Sequence, residues 1–145
     1  MYELAEIKVS YKTKSTPKEK VITSFKAYEV LLKNWSLDTI ELQEEFKILL
    51  LNNSNHVLGI YPMSKGGITG TVVDVRLLFA VALKCNATGV LLAHNHPSGK
   101  LIPSECDLSL TKKIKAASEL LDIRLHDHII VTKNGYYSMA DNGEM

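Results

Sequence analysis

His94-Asn95-His96-Pro97, followed by Ser104 and Asp107, places two imidazoles, a hydroxyl and a carboxylate within fourteen residues. These are donor types that a single divalent cation takes from a protein, and zinc suits the set. Catalytic zinc commonly has three protein ligands and leaves its fourth position to water, whereas structural zinc is closed by four, often with cysteines. Water on such an ion has its pKa lowered from about 16 to about 7, which supplies a hydroxide-like nucleophile at neutral pH. His94, His96 and Asp107 are therefore the candidate metal ligands, with Zn2+ as the expected cofactor.

The surrounding sequence explains how they would meet. Residues 89–96, GVLLAHNH, form a short apolar run expected to be a buried strand, and alternate side chains on a strand share one face. His94 and His96 then point the same way. Pro97-Ser98-Gly99 ends the strand, and Pro103-Ser104-Glu105-Cys106-Asp107 opens a helix whose first turn carries Asp107 back toward the imidazoles. Ser104-x-x-Asp107 is also an ordinary capping box, and the two roles are compatible. Two imidazoles on an apolar strand are costly to bury without partners, and a cation provides one.

A general base is also required, and Glu44 and Glu45 stand at the start of the apolar segment 44–51. Glu44 shares parity with Phe46, Ile48 and Leu50, whereas Glu45 shares it with Lys47, where an exposed ion pair is natural. Glu44 is the candidate acid/base. Partial burial would raise its pKa and a nearby cation would oppose that rise. The Ser104 hydroxyl, if it faces the site, would donate to the oxyanion of a tetrahedral intermediate.

The other polar candidates carry weaker signals. Cys106 is not needed beside a His-His-Asp set, and His56 is expected to be exposed in a hairpin. His126 and His128 share a strand face, but no carboxylate at a suggestive spacing joins them. Asp127 has the parity of Ile123, Leu125, Ile129 and Val131, so it needs hydrogen bonds. Local backbone is the expected source, with support of a ligand histidine as the alternative.

Around these residues the pattern alternates between strand and helix. Ile7, Val9 and Tyr11 suggest a first strand, and Thr16-Pro17-Lys18-Glu19 suggests a helix over about 17–34 with Val21, Phe25, Tyr28, Leu32 and Trp35 on its apolar side. Residues 44–51 and 56–62 make a hairpin across Asn52-Asn53-Ser54-Asn55. The segment 64–71, SKGGITGT, lacks phosphate-loop spacing and is expected to be a loop or bulged strand bordering the cleft. Helices over about 73–85 and 104–122 flank the histidine strand, residues 123–131 form a further strand, and the tail from Asn142 is expected to fray. Such an order gives one α/β domain over 1–145, a sandwich around a mixed sheet.

Composition narrows the function classes. Hydrophobic residues make up 46 % of the 145 and charged residues 23 %, the balance of a soluble globular protein. No stretch approaches the roughly 20 apolar residues of a membrane span, and the opening residues lack a signal pattern, so a cytoplasmic location is expected. Two cysteines in that setting are expected to be reduced thiols. Seventeen basic against sixteen acidic residues leave a net charge of +1, which does not support DNA as a partner.

The combined pattern Glu44…HNHPSG (94–99)…PSxxD (103–107)…DHIIV (127–131) resembles the RadC-type branch of the JAB/MPN (JAMM) metalloprotease superfamily, over about residues 37–141. The resemblance implies zinc held by His94, His96 and Asp107, Glu44 as acid/base and Ser104 assisting the oxyanion. It also implies a three-layer, cytidine-deaminase-like α/β/α sandwich and hydrolysis of a peptide or isopeptide bond in a peptide or protein substrate. Many RadC-type proteins carry a helix-hairpin-helix region ahead of this domain, and residues 1–36 lack its glycine-centred hairpins. The competing reading is a DNA-repair-associated accessory module with a structural or vestigial metal site. A nucleobase deaminase is set aside because its H-x-E and later P-C-x-x-C are missing.

Overall fold

The computed structural model describes residues 3–68 and 71–145. Five strands form one mixed sheet in the order β2-β1-β3-β4-β5: β1 (Glu45–Leu51), β2 (Val57–Lys65), β3 (Gly89–Asn95), β4 (Arg124–Thr132) and β5 (Gly135–Ser138). Three helices occur among the described residues: α1 (Ser24–Lys33), α2 (Val75–Lys84) and α3 (Glu105–Leu120). β1 runs antiparallel to both β2 and β3, and β4 to β5. β3 and β4 are parallel, so α3 crosses between them and its first turn lies at the end of the strand that carries the histidines. Every residue of β3 is buried.

Two apolar clusters fix the helices to the sheet. Ala27, Tyr28 and Leu31 of α1 pack on one face with Leu49, Leu51, Leu91, Ala93, Ile129 and Val131. Leu78, Phe79 and Ala82 of α2 and Ile114 of α3 pack on the other, with Phe46, Ile48, Leu50, Val90 and Leu92. The alternation of each strand thus sorts its side chains between two cores. His94 has the parity of Val90 and Leu92 and faces α3.

Several local expectations are corrected. Residues 7–11 form no strand; Ile7 is 83 % exposed and Val9 70 %, because alternation without a partner strand buries nothing. The helix expected from residue 17 starts at Ser24, where the Thr23 hydroxyl caps the Lys26 amide at 3.1 Å. Ahead of it, backbone bonds from Val21 to Asn55 and from Val57 to Glu19, with a bridge between Lys20 and His56, hold residues 19–21 extended. Val21 therefore lies outside the helix, and Phe25 is exposed. Ser64 and Lys65 extend β2, with Gly66 and Gly67 following; residues 69–70 of the glycine-rich segment lie outside the described residues. β5, absent from the sequence reading, pairs with β4 across the two-residue turn Lys133–Asn134. The tail is packed: the Glu144 amide donates to the Met139 carbonyl, and Met145 lies against the α2/α3 core.

The consequential correction is a bulge in β4. Val90 faces Leu125 whereas Leu91 faces Asp127, which leaves His126 as the extra residue. One inserted residue exchanges the faces of everything beyond it. Leu125 joins the α2/α3 core, while Asp127, Ile129 and Val131 point toward the α1 side. His128, opposite Leu92, comes to the same face as His94, and His126 sits instead against Gly89.

Candidate metal centre

Three elements converge at one end of the sheet. β3 supplies His94 and, just past its end, His96; α3 supplies Asp107 from its first turn; the residue preceding β1 is Glu44. His94 Nε2 and His96 Nε2 are 2.9 Å apart. Asp107 Oδ2 lies 3.2 Å from the first and 3.3 Å from the second, and Glu44 Oε1 is 3.8 Å from His94 Nε2. One donor atom from each of these four residues falls within 4.8 Å of all the others. Donors bound tetrahedrally at zinc distances stand roughly 3.3 Å from one another, so the His–Asp separations fit one ion and the His–His pair is a few tenths tighter. His94 is 1 % exposed, Glu44 is also buried, and His96 and Asp107 are partly open to the cleft.

Each ligand candidate is held from behind. His96 Nδ1 is 2.7 Å from the Lys100 carbonyl, which can only accept; Nδ1 therefore carries the hydrogen, and Nε2 of the neutral ring presents its lone pair to the cluster. His94 Nδ1 is 2.8 Å from His128 Nε2, and the Phe46 ring stacks on the His94 imidazole at 6.0 Å. Asp107 Oδ2 also accepts from the Ser104 amide at 2.8 Å while Ser104 Oγ accepts from the Asp107 amide at 3.0 Å, so the capping box forms. That arrangement leaves the serine's own hydroxyl hydrogen uncommitted at the rim of the cleft.

The electrostatics match a cation site. Burial pushes the Asp107 carboxyl up, but the facing His94 and His96 imidazoles, with the Ser104 amide, outweigh it and hold the group well below the usual carboxylate range. For His96, burial acts downward and the Asp107 carboxylate and Lys100 carbonyl more than offset it, leaving the imidazole raised. Burial raises Glu44, and the facing imidazoles only partly reverse that. The two carboxylates of the cluster are thus pushed in opposite directions, Glu44 up and Asp107 down.

Glu44, His94, His96 and Asp107 are thus brought together, with Ser104 on the wall of the same open cleft of about 920 Å³. Ile68, Val72 and Ile102 line its mouth and are largely exposed. Cys106 lines the wall without joining the cluster. Glu45 departs from the sequence reading: it is buried, and its ion pair, at 3.5 Å, is with Lys65. Lys47 instead donates to the Asn34 carbonyl and lies over Trp35. His56 is half-buried where exposure was expected. Asp127 is satisfied locally, by the His128 and Ala140 amides and the Ser138 hydroxyl.

Two residues of the centre escaped sequence reasoning. His128 is wholly buried directly behind His94, placed there by the bulge, and burial holds its imidazole well below the ordinary range. Asn95 is 0 % exposed on the opposite face from the histidines, among apolar neighbours. A carboxamide at that parity has to find partners, and that requirement was the signal for it.

Comparison with known proteins agrees with this geometry. The RadC-like JAB domain family matches residues 22–144. The chain belongs to that family. Among relatives of this RadC-like JAB domain, a UPF0758 protein of Flavobacterium johnsoniae is 56 % identical over 100 residues, covering 69 % of this chain and 44 % of the relative. UPF0758 proteins of Porphyromonas gingivalis and Haemophilus ducreyi are 45 % and 44 % identical over 70 % of this chain and 45 % of each relative. The RadC-like chain therefore spans less than half the length of these curated relatives. No helix among its described residues is long and apolar enough to cross a membrane.

Proposed function

We propose that this RadC-like JAB domain is a zinc-dependent hydrolase of peptide or isopeptide bonds. The carrying observation is the meeting of Glu44 with His94, His96 and Asp107 at the floor of an open, mostly apolar cleft. The face-by-face packing of helices on the mixed sheet supports the cytidine-deaminase-like α/β/α arrangement. A zinc ion held by His94, His96 and Asp107 would supply a Lewis acid and a water of lowered pKa. Glu44, with its raised pKa, takes the proton from the attacking water and delivers it to the leaving amine nitrogen. The free Ser104 hydroxyl hydrogen donates to the carbonyl oxygen as it gains negative charge. His96 is kept by Lys100 in the tautomer that presents Nε2. Ile68, Val72 and Ile102 suit an extended peptide with apolar side chains. Cys85 and Cys106 are both free thiols, which supports a reducing, cytoplasmic setting.

The test is Glu44→Gln. The variant should keep a stoichiometric zinc ion, read by elemental analysis and anomalous scattering, and lose hydrolysis of a peptide panel by about 10²- to 10⁴-fold. Full activity in Glu44→Gln rejects the assignment. A wild-type protein that holds zinc but leaves every peptide and isopeptide substrate intact favours the DNA-repair-associated accessory module.

A further inference from the structure

We infer that Thr111 and His128 are positioning residues that set the tautomer of His94 and aim its Nε2 lone pair into the centre. The inference rests on the metal-ligand reading of His94 given above. It begins from a chain of short contacts leading away from that ring: His94 Nδ1 to His128 Nε2 at 2.8 Å, His128 Nδ1 to Thr111 Oγ1 at 2.6 Å, and Thr111 Oγ1 to the Asp107 carbonyl at 2.7 Å. His94, His128 and Thr111 are all buried, so no bulk water completes their hydrogen bonding.

The direction of every bond in this chain follows from its far end. A carbonyl oxygen only accepts, so the single hydroxyl hydrogen of Thr111 goes to Asp107. The acceptor side of the Thr111 oxygen is then turned to His128, whose Nδ1 must carry a hydrogen. His128 faces a hydroxyl and an imidazole and is enclosed by Phe46, with no carboxylate in hydrogen-bond contact to favour a charged ring. A neutral ring with a hydrogen on Nδ1 offers a lone pair on Nε2. His94 must donate to it from Nδ1, and Nε2 of neutral His94 is left without a hydrogen. The Met139 sulfur, 3.5 Å from Thr111 Oγ1, is a weaker and longer alternative acceptor that leaves the same outcome.

Two ligand candidates thus reach one state by different routes. His96 is set by a single loop carbonyl, whereas His94, deeper in the fold, is set across β4 and α3. The chain closes on the helix residue that bears the carboxylate, because the carbonyl that ends it belongs to Asp107. Partners behind a ligating imidazole typically change metal affinity by about 10- to 100-fold when removed.

The experiment joins a spectroscopic readout to a binding one. In metal-free wild-type protein, long-range ¹H–¹⁵N correlation spectra should show the hydrogen on Nδ1 of both His94 and His128. Thr111→Val, which keeps shape and removes the hydroxyl, should bind Zn2+ about 10- to 100-fold more weakly in competitive chelator titrations, and Thr111→Ser should bind as wild type. The hydrogen on Nε2 of either ring in the wild type overturns the inference. So does zinc binding by Thr111→Val equal to that of Thr111→Ser, or an equal loss in both, which would assign the effect to packing. If Thr111→Val does not fold, the wild-type spectrum alone decides. A wild type with both rings in the expected tautomer that binds no zinc sinks the metal reading and leaves the positioning chain standing.

Discussion

The carboxamide oxygen of Asn95 accepts a 2.7 Å hydrogen bond from the backbone amide of Glu45. Its NH2 group donates to the carbonyls of Ile40 at 2.7 Å and Gln43 at 2.9 Å, so one buried side chain ties the segment 40–45 to β3. That segment delivers Glu44 to the opposite face, where the histidines on either side of Asn95 are waiting. Alternation along one strand therefore couples the position of Glu44 to that of the two histidines.

Asn95→Ala leaves a buried amide and two carbonyls without partners, each such loss costing about 1–3 kcal/mol. The Gln43 carbonyl is part-buried and can turn to water, so the expected destabilisation is about 2–6 kcal/mol by urea unfolding, with loss of hydrolysis exceeding loss of bound zinc, since Glu44 is freed while the candidate ligands remain. An unchanged unfolding midpoint would show that the segment is held by other contacts.

Sequence patterning located the centre because its signals are local. His94 and His96 share a strand face by parity, and Asp107 is brought back by a helix start that Ser104 announces. Glu44 followed from parity along a strand whose apolar members Phe46, Ile48 and Leu50 all reach the α2/α3 face. What failed was non-local. The β4 bulge cannot be seen in 123–131, and without it His128 is grouped with His126 and Asp127 with Leu125. Likewise Thr16-Pro17 is a sound helix start that loses to pairing of residues 19–21 with the β1–β2 hairpin, a contact that no window around residue 17 contains. Glu45 went astray because its partner Lys65 lies across a hairpin from it.

His96 should favour the metal-free fold at pH 5.5 over pH 8, while the lowered imidazoles of His126 and His128 act the other way, so the contribution of His96 is read as the difference between wild type and His96→Gln. Asp107 is depressed in the fold, so its contribution is present above its unfolded pKa of about 4 and is lost as pH falls through the folded value. His96 is raised, so its contribution is full below about 6.5 and is lost as pH rises through its folded pKa. The raised Glu44 acts in the same direction as His96. Zinc needs the neutral imidazole and competes with that proton, so zinc affinity should climb over the interval in which the contribution of His96 is lost. Thermal unfolding of wild type and His96→Gln with chelator, and of wild type with excess zinc, at both pH values reads the two trends; a wild-type advantage over His96→Gln that grows with pH would contradict the assignment of His96.

Ser104 separates capping from chemistry. Replacing an N-cap serine by alanine costs about 1 kcal/mol, whereas glycine costs only a few tenths. Ser104→Gly should therefore unfold close to wild type, yet lose hydrolysis by about 10²- to 10³-fold if the hydroxyl serves the developing oxyanion. Activity that tracks stability in both variants would make Ser104 a cap alone.

Asp127 provides the sharpest contrast between a polar partner and a charge. Its Oδ1 accepts from the amides of His128 at 2.7 Å and Ala140 at 3.0 Å, and Oδ2 accepts from the Ser138 hydroxyl at 2.6 Å. Burial raises its carboxyl, and these three donors reverse that only in part. A group whose folded pKa is raised withdraws stability as pH rises through that value. A carboxamide in place of the acid would keep the Oδ1 acceptor and carry no charge; Asp127→Asn should match or exceed wild-type stability at pH 8 and leave zinc affinity unchanged. Asp127→Ala instead leaves the buried His128 amide and Ser138 hydroxyl without their acceptor, and should cost about 2–4 kcal/mol while weakening zinc binding through the displaced imidazole. Urea unfolding and chelator titration of the pair check this. An asparagine variant as unstable as the alanine one would mean that the charge itself holds β4 to β5.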